Sequence, residues 1–208
     1  MMTKRFISFL MVVAAALSVA ATDLFFIQDF AVLPQETLEV SIMLDNVEQY
    51  TAFQADMYLP DGMTAANFHL TDRKASDHNI AASILPDGGI RLMSYSMRVK
   101  PYSGNSGALA TFQVTTSDSF MTPASITLKN IIFTLTSGAE VTFSDTSCVV
   151  PLLGDVNLNG QVSITDVTCL IDLLLNGGDA PVSADVNRDT NISITDVTTL
   201  IDRLLKGS

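Results

Sequence analysis

Two stretches near the carboxyl end of the chain place oxygen-bearing side chains at matching intervals, a pattern suited to holding a hard cation. The first reads GDVNLNGQVSITDV from Gly154, and the second reads ADVNRDTNISITDV from Ala184. Aligning residues 155–177 with residues 185–207 gives 15 identities in 23 positions, so the chain repeats one small unit. We refer to residues 155–166 as loop 1 and to residues 185–196 as loop 2.

Each loop contains the donor atoms that calcium prefers. Ca²⁺ takes about six to eight oxygen ligands, and a loop of about twelve residues supplies them from positions 1, 3, 5, 7, 9 and 12, with position 7 acting through its backbone carbonyl. The candidate ligands at these positions are Asp155, Asn157, Asn159, Gln161, Ser163 and Asp166 in loop 1, and Asp185, Asn187, Asp189, Asn191, Ser193 and Asp196 in loop 2. The spacing therefore predicts two Ca²⁺ sites.

The same residue types allow a second interpretation without a metal. Asp and Asn side chains initiate turns and cap helices, so Asp166 and Asp196 would then be only residues of a first helical turn. Oxygen ligands recur at equivalent positions of both loops, and this recurrence favours calcium.

A helical pattern follows each loop and must position the last ligand. The apolar residues recur at i, i+3, i+4 and i+7, as Val167, Leu170, Ile171 and Leu174 and again as Val197, Leu200, Ile201 and Leu204. Helices this short are marginal alone in water. We expect the two stripes to face each other in one small core, with calcium fixing the loops that enter it.

The repeated loop–helix unit resembles the type I dockerin family, in which two calcium loops with Asp at position 12 are each followed by one helix. The similarity covers Gly154 to Lys206 and implies calcium-dependent folding and recognition of a cohesin domain protein. The partner face implied by the family, at loop positions 10 and 11 and on the exposed helix side, is Ile164, Thr165, Ile194, Thr195, Leu173 and Arg203. An alternative is that Leu158 and Leu173 pack on the rest of the same chain.

Loop 2 departs from the family at position 6, where Thr190 stands in place of the glycine that loop 1 has as Gly160. A sharp turn with positive φ at this position strains a β-branched residue. Loop 2 also carries three carboxylates, against two in loop 1. These opposing effects leave open which loop binds calcium more tightly.

The residues before the loops follow a period of two rather than 3.6. Stretches such as TLEVSIML, FQADMYL and ALATFQV alternate apolar and polar residues, and turn signals such as LPDGM and SGNSG separate them. Seven to nine short strands of this kind predict an antiparallel β-sandwich over residues 22–150. The expected fold class is mostly β, with a jelly-roll type sandwich followed by a small α-helical unit at residues 151–208.

The sandwich segment resembles the cohesin-like modules of bacterial extracellular proteins. The resemblance rests on TAFQADMYLPDGM, DGGIRLMSYS, YSGNSGALATFQV and SITLKNIIFT, in that order along the chain. It implies a non-catalytic module for protein–protein or surface attachment. Carbohydrate-binding sandwiches share the same diffuse features, so a carbohydrate-binding or adhesion module, with polysaccharide as its ligand, is the alternative.

The sandwich segment shows no motif for catalysis. It has no nucleophile elbow and no phosphate-binding or dinucleotide-binding loop. His69 and His78 lie in a polar stretch and are interpreted as surface-loop residues, because a zinc site needs closer spacing and further ligands. No glutamate pair stands out as a glycosidase would require. We expect a protein that is not an enzyme, with a small glycoside hydrolase as the less favoured alternative.

The charge and the first residues indicate where the protein acts. A formal net charge of −11 argues against a nucleic-acid partner. Residues 1–21 combine a basic start, the apolar run FISFLMVVAAALSVA and small residues, which predicts a signal peptide cleaved near Ala20 or Ala21. No second run is long enough to span a membrane. We therefore expect a secreted or cell-surface protein, and the dockerin resemblance implies that it belongs to a polysaccharide-degrading system.

The segment expected to remain after cleavage contains two cysteines, Cys148 and Cys169. Export permits a disulfide between them, but two cysteines in a chain of this length do not form a disulfide framework. The sequence leaves open a single bond or two independent thiols.

Overall fold

The computed structural model describes residues 23–206 of the chain. It contains ten strands and two α-helices, with a short 3-10 turn at Val182–Ala184. The elements are β1 Leu24–Ile27, β2 Thr37–Asp45, β3 Tyr50–Tyr58, β4 Met63–Leu70, β5 His78–Ile84, β6 Ile90–Ser96, β7 Ala108–Thr116, β8 Ala124–Leu135, β9 Glu140–Thr142, β10 Thr146–Val150, α1 Ile164–Asn176 and α2 Ile194–Lys206. The predicted fold class, an antiparallel β-sandwich followed by a small helical segment, is confirmed. We call residues 23–150 the sandwich and residues 151–206 the C-terminal segment.

Two antiparallel sheets make up the sandwich. One has the strand order β1-β2-β7-β4, and the other has the order β10-β8-β3-β6-β5, with β9 paired to the far end of β8. The alternation expected from the sequence is present on β2, where Val40, Ile42 and Leu44 are buried and the residues between them are partly exposed. One face of each sheet therefore lines a common core.

Aromatic side chains fill one end of that core. Phe133 lies 4.8 Å from Tyr50, 5.1 Å from Phe25 and 4.7 Å from Phe143, measured between ring centroids. Tilted and edge-on pairs at such distances add about 0.5–1.5 kcal/mol each to the free energy of area burial. The sandwich thus has a core of its own, separate from that of the C-terminal segment.

The interpretation of both histidines as surface-loop residues is wrong, because strand pairing includes them. His69 is an exposed residue of β4, whereas His78 begins β5 and is buried. The His78 ring stacks on Tyr102 at 4.2 Å between centroids, and its Nδ1 accepts a hydrogen bond from the Ala75 N–H at 2.8 Å. Burial lowers the pKa of His78 below its ordinary value.

Asp56 was expected on the polar side of β3, but it is 1% exposed. Arg91 lies opposite it on β6 and donates Nε–H and Nη2–H to the two carboxylate oxygens, each at 2.7 Å. Asn130 donates a further hydrogen bond at 2.9 Å. The hydrogen bonds from Arg91 hold the pKa of Asp56 below its ordinary value, so the carboxylate is covered yet fully paired.

The C-terminal segment packs α1 against α2 around a small core. Val167 and Leu170 of α1 and the equivalent Val197 and Leu200 of α2 are buried there. Other members of the predicted stripes are less covered, since Ile171 and Leu174 are 37% and 38% exposed. Each helix is covered on one side only, by the other helix. The buried face is therefore narrower than the apolar stripe that the sequence predicts.

The two parts meet where β10 leaves the sandwich. Val32 pairs with Leu152 in a parallel bridge, its N–H donates to the Pro151 carbonyl at 3.1 Å, and its carbonyl accepts from the Leu153 N–H at 2.7 Å. The C-terminal segment therefore contacts its own sandwich, but not through Leu158 and Leu173 as the alternative interpretation held, because Leu173 packs against the small core of the helices. Leu158 remains 53% exposed.

The two cysteines are free thiols, so the disulfide considered from the sequence is not formed. Cys148 is buried in the sandwich, and burial raises the pKa of its thiol to about 12. Cys169 is half-buried on α1. Within residues 23–206, no helix has the length and apolar character needed to cross a membrane.

Candidate calcium sites in the paired loops

Both loops are curled by the same two backbone turns. Positions 4 and 6 lie in the left-handed region, with φ of 57° at Leu158 and 87° at Gly160 in loop 1. The equivalent φ values in loop 2 are 59° at Arg188 and 69° at Thr190. The strain expected at Thr190 from the sequence is therefore present, because a β-branched residue rarely adopts positive φ.

Loop 1 closes around the carboxylates at its two ends. Asp155 accepts hydrogen bonds from the N–H groups of Asn159 at 3.0 Å and Gly160 at 2.8 Å. Asp166 accepts from the N–H groups of Val156 at 2.9 Å and Asn157 at 3.1 Å, and from that of Ser163 at 2.9 Å. First and last positions are thus held on the same side of the curled chain.

Loop 2 repeats this arrangement with different residues in between. Asp185 accepts from the N–H groups of Asp189 at 3.1 Å and Thr190 at 2.8 Å. Asp196 accepts from the N–H groups of Asn187 at 3.1 Å and Ser193 at 2.9 Å. Two stretches that share their ligand spacing therefore share their hydrogen-bond pattern.

The middle ligand positions are oriented by short local bonds. Asn157 Oδ1 accepts from the Asn159 N–H at 3.0 Å, and Asn159 Oδ1 accepts from the Gln161 N–H at 2.9 Å. In loop 2 the Asn191 N–H donates to Asp189 Oδ1 at 2.8 Å. These bonds fix the orientation of the side chains at positions 3 and 5, which are exposed in both loops.

Burial and charge make the loops suited to a cation. Asp155 is 1% exposed, and Asp166 and Asp196 are fully buried. Among residues 23–206, no Lys, Arg or His forms a salt bridge with a carboxylate of either loop. The buried carboxylates have lost hydration and have backbone N–H groups, not a basic side chain, as partners, so a bound cation would stabilise them.

The donor set fits calcium better than a transition metal. In the part of the chain that the structure describes, no three His, Cys, Asp or Glu side chains cluster as a metal site. Each loop must instead add amide, hydroxyl and carbonyl oxygens to its carboxylates. Such an all-oxygen set is typical of Ca²⁺, whereas zinc prefers nitrogen and sulfur.

The helix-capping role that the sequence also allowed for Asp166 is present in loop 1. Ser163 is the N-cap of α1, and its side chain accepts from the Thr165 N–H while Asp166 accepts from the Ser163 N–H in a capping box. A side chain with several lone pairs can cap a helix and face an ion together. Capping and metal binding are therefore compatible roles for this carboxylate.

The six residues predicted to contact a partner differ in exposure and contacts. Ile164 and Ile194 begin the two helices and are each 66% exposed. The hydroxyls of the adjacent Thr165 and Thr195 hydrogen-bond to the N-cap serines of their helices, Ser163 and Ser193. The structure places the remaining two elsewhere: Leu173 is half-buried against the small core, and Arg203 donates to the Leu153 carbonyl at 2.9 Å.

Two features of the C-terminal segment were not identified from the sequence. An outward stripe of exposed residues runs from Ile164 through Thr168 to Leu175, and it recurs on α2 as Ile194, Thr198 and Leu205. Its signal was the apolar residues left outside the core pattern. The second feature is the pairing of Arg188 with Glu36 of the sandwich. The two residues are 152 positions apart, so no local sequence pattern predicts their contact.

The comparisons with known proteins match both parts. Residues 153–205 match the family model of the dockerin type I domain. No curated protein is similar in sequence. Similar solved structures include CaCohA2 from Clostridium acetobutylicum, at 14% identity and a TM-score of 0.55, which covers 65% of this chain and 94% of its own.

Two further cohesins have the same fold as the sandwich. The sixth cohesin of scaffoldin B from Acetivibrio cellulolyticus, solved in complex with a Cel5 dockerin mutant, matches at 12% identity and a TM-score of 0.54, over 64% of this chain and 99% of its own. A non-cellulosomal cohesin from Archaeoglobus fulgidus matches at 11% identity and a TM-score of 0.52, over 62% of this chain and 91% of its own.

The chain thus joins a sandwich with the fold of cohesins to a C-terminal segment that matches the dockerin type I model. More narrowly, the C-terminal segment is similar to type I dockerins, and both resemblances seen in the sequence are confirmed. Modules of these two kinds are non-catalytic and serve in assembly.

Proposed function

We propose that this protein is a non-catalytic assembly or attachment protein whose C-terminal segment binds a cohesin domain when its two loops hold calcium. The observation that carries the proposal is the pair of loops that each close on the carboxylates of their first and last positions, within the segment that matches type I dockerins. A cohesin–dockerin assembly role agrees with both halves of the chain.

The protein's own residues would prepare the calcium sites. The carboxylates of Asp155 and Asp185 would face the ion from position 1, and Asp166 and Asp196 would face it from the first turn of each helix. Bound calcium would supply the positive charge that these groups lack. Because the ligands are far apart in an unfolded chain, the free energy of ion binding becomes free energy of folding.

The partner would contact the outward helix stripes, which begin at position 10 of each loop. Ile164 and Ile194 are equally exposed, and Leu175 and Leu205 at the far ends are 78% and 81% exposed. Exposed apolar residues aligned along a helix are typical of helix-docking surfaces. Since the two stripes have the same residue types, one cohesin surface would accept either helix.

The proposed setting is extracellular, in a polysaccharide-degrading system. This part of the proposal rests on the predicted signal peptide, which lies outside the described residues, and on the module types. A carbohydrate-binding or adhesion role for the sandwich is the alternative. In residues 23–206, Tyr95 is the one exposed aromatic side chain that would be available to a sugar ring.

Calorimetry and capture with the full chain test the proposal. We expect the wild type to bind two calcium ions, and Asp155→Ala and Asp185→Ala each to remove about one of them. The wild type should capture type I cohesin domains from a panel in millimolar calcium and lose them with a chelator. The proposal fails if the chain binds no calcium at that concentration, and capture of polysaccharide instead of cohesin supports the alternative.

A further inference from the structure

Loop 2 is tied to the sandwich by an ion pair. The Arg188 guanidinium donates from Nη1 to Glu36 Oε1 at 2.5 Å and from Nη2 to Glu36 Oε2 at 2.8 Å, and Nη2 also lies 3.3 Å from the Ala31 carbonyl oxygen. A two-point contact of this kind fixes orientation as well as distance. Arg188 occupies position 4 of loop 2, between the candidate ligands Asn187 and Asp189.

Hydrogen bonds within the sandwich hold Glu36 in the position where it meets Arg188. Its Oε2 accepts the Leu33 N–H at 2.8 Å, and its own N–H donates to Thr116 Oγ1 at 3.1 Å. The carboxylate is 17% exposed. Burial acts to raise the pKa of Glu36, but the hydrogen bonds from Arg188 and Leu33 outweigh it and hold the pKa below its ordinary value.

Other contacts at the same end of the sandwich restrict the C-terminal segment further. A Cβ on Gly160 of loop 1 would lie 2.9 Å from the Thr122 carbonyl oxygen of the sandwich. Loop 1 thus approaches the sandwich through bare backbone, whereas loop 2 approaches it through a charged side chain. The backbone pairing of Val32 with Leu152 lies beside both.

We infer that the sandwich docks loop 2 in cis through Glu36, and that this docking and calcium loading of loop 2 strengthen each other. The inference rests on the proposed calcium-binding function. Docking fixes the left-handed backbone at Arg188 and so pre-orders the neighbouring ligands, which reduces the ordering cost that calcium must overcome. Glu36 also neutralises a positive charge that would otherwise stand close to the ion.

This coupling would offset the backbone strain in loop 2. Thr190 strains the loop, and Leu158 shows that loop 1 has no arginine at the equivalent position. By thermodynamic linkage, calcium in loop 2 must tighten docking by the same factor by which docking tightens calcium. The sandwich would therefore act as an internal support for the calcium site whose backbone is strained at Thr190.

The direct test is calorimetric calcium titration of the full chain with Arg188→Leu. Leucine suits the backbone, since Leu158 adopts the same positive φ in loop 1. Removing a positive charge beside a cation would by itself raise affinity. Docking predicts the opposite, namely that one of the two sites weakens by about five-fold or more while two ions still bind.

Two further variants make the result specific. Glu36→Gln is expected to weaken the same site, and Glu39→Gln, which removes a charge from an exposed position of β2, is expected to change neither site. In an Asp185→Ala background, where loop 1 supplies the remaining site, Arg188→Leu should have no effect.

An Arg188→Leu chain that binds calcium as tightly as the wild type, or more tightly, overturns the coupling. So does a weakening that persists in the Asp185→Ala background. In both cases the wild type still binds two ions, and the proposed function stands. A wild type that binds no calcium is a different outcome, because it removes the proposed function itself.

Discussion

At the scale of single residues, the last position of each loop joins two kinds of structure. Asp166 and Asp196 are fully buried, and each accepts backbone N–H groups from its own loop. Each also stands in the first turn of a helix, where a negative charge is favoured by the helix dipole. Binding or loss of calcium at a loop would therefore act directly on the first turn of the following helix.

Replacing Thr190 by glycine should stabilise loop 2. The left-handed backbone at Thr190 destabilises the folded loop by about 1–3 kcal/mol, because threonine is β-branched. Glycine removes this strain, but its greater freedom in the unfolded chain costs about 0.5–1 kcal/mol of stability. We expect a net gain of about 1 kcal/mol in the calcium-loaded C-terminal segment, seen as a higher midpoint in thermal unfolding followed by the helical signal.

Gly160→Ala is the matched control at the equivalent position of loop 1. It should destabilise the segment, because the backbone has φ of 87° and the added Cβ meets the Thr122 carbonyl oxygen. A Thr190→Gly chain that melts at or below the wild-type midpoint would contradict the assignment of strain.

The buried His78 should make the sandwich sensitive to acid. Since burial lowers the folded-state pKa below the unfolded value of about 6.5, the unfolded chain binds the proton more readily. Stability should therefore fall as the pH drops below about 6.5. His78→Phe keeps an aromatic ring stacked on Tyr102 but removes the group that binds the proton.

The expected result for His78→Phe is a lower urea midpoint at neutral pH, because the Ala75 N–H loses its acceptor, together with a flatter midpoint between neutral and mildly acidic pH. If wild type and variant lose stability in parallel over that range, the protonation of His78 is not the cause.

At the scale of elements, the helices depend on each other more than on their own propensity. Each has 13 residues, a length that is marginal for an isolated helix in water. Leu170 and Leu200 are fully buried at equivalent positions, and together they form the centre of the small core. The loops then fix where each helix begins.

Leu200→Ala should destabilise the calcium-loaded segment by about 3 kcal/mol, since it removes a fully buried side chain and leaves a cavity between the helices. Leu205→Ala on the same helix, at 81% exposure, should change the free energy of unfolding by less than about 0.5 kcal/mol. Chemical unfolding followed by the helical signal measures both. Equal losses for the two variants would contradict the proposed core.

At the scale of the whole molecule, two separate cores predict two unfolding transitions. The sandwich core contains no candidate calcium ligand, whereas the C-terminal core is entered by both loops. A chelator should remove the helical signal and leave the strand signal intact. Calcium at about 100 times its dissociation constant should stabilise the C-terminal transition by about 2.7 kcal/mol per site.

Calorimetric scans of the full chain with calcium and with chelator measure this difference. The transition of the sandwich should stay at the same temperature to within a few degrees, with a small shift allowed for the loss of the Arg188–Glu36 pair. A single transition that ignores calcium would contradict the assignment of calcium-dependent folding to the C-terminal segment.

The features that the sequence alone determined are local ones. Ligand spacing in the loops, the period of 3.6 in α1 and α2 and the period of two in β2 all depend on residues close together in the chain. Local geometry repeats wherever the pattern repeats, so the strain at Thr190 was also visible before the structure.

Tertiary structure decided the features that join distant residues. Asp56 is covered because Arg91 lies opposite it on β6, and His78 is buried because β5 carries it onto Tyr102. The pairing of Arg188 with Glu36 joins residues 152 positions apart. No periodicity encodes such contacts, because they depend on which faces of separate elements the fold brings together. The pairing of Arg188 with Glu36 is what ties loop 2 to the sandwich.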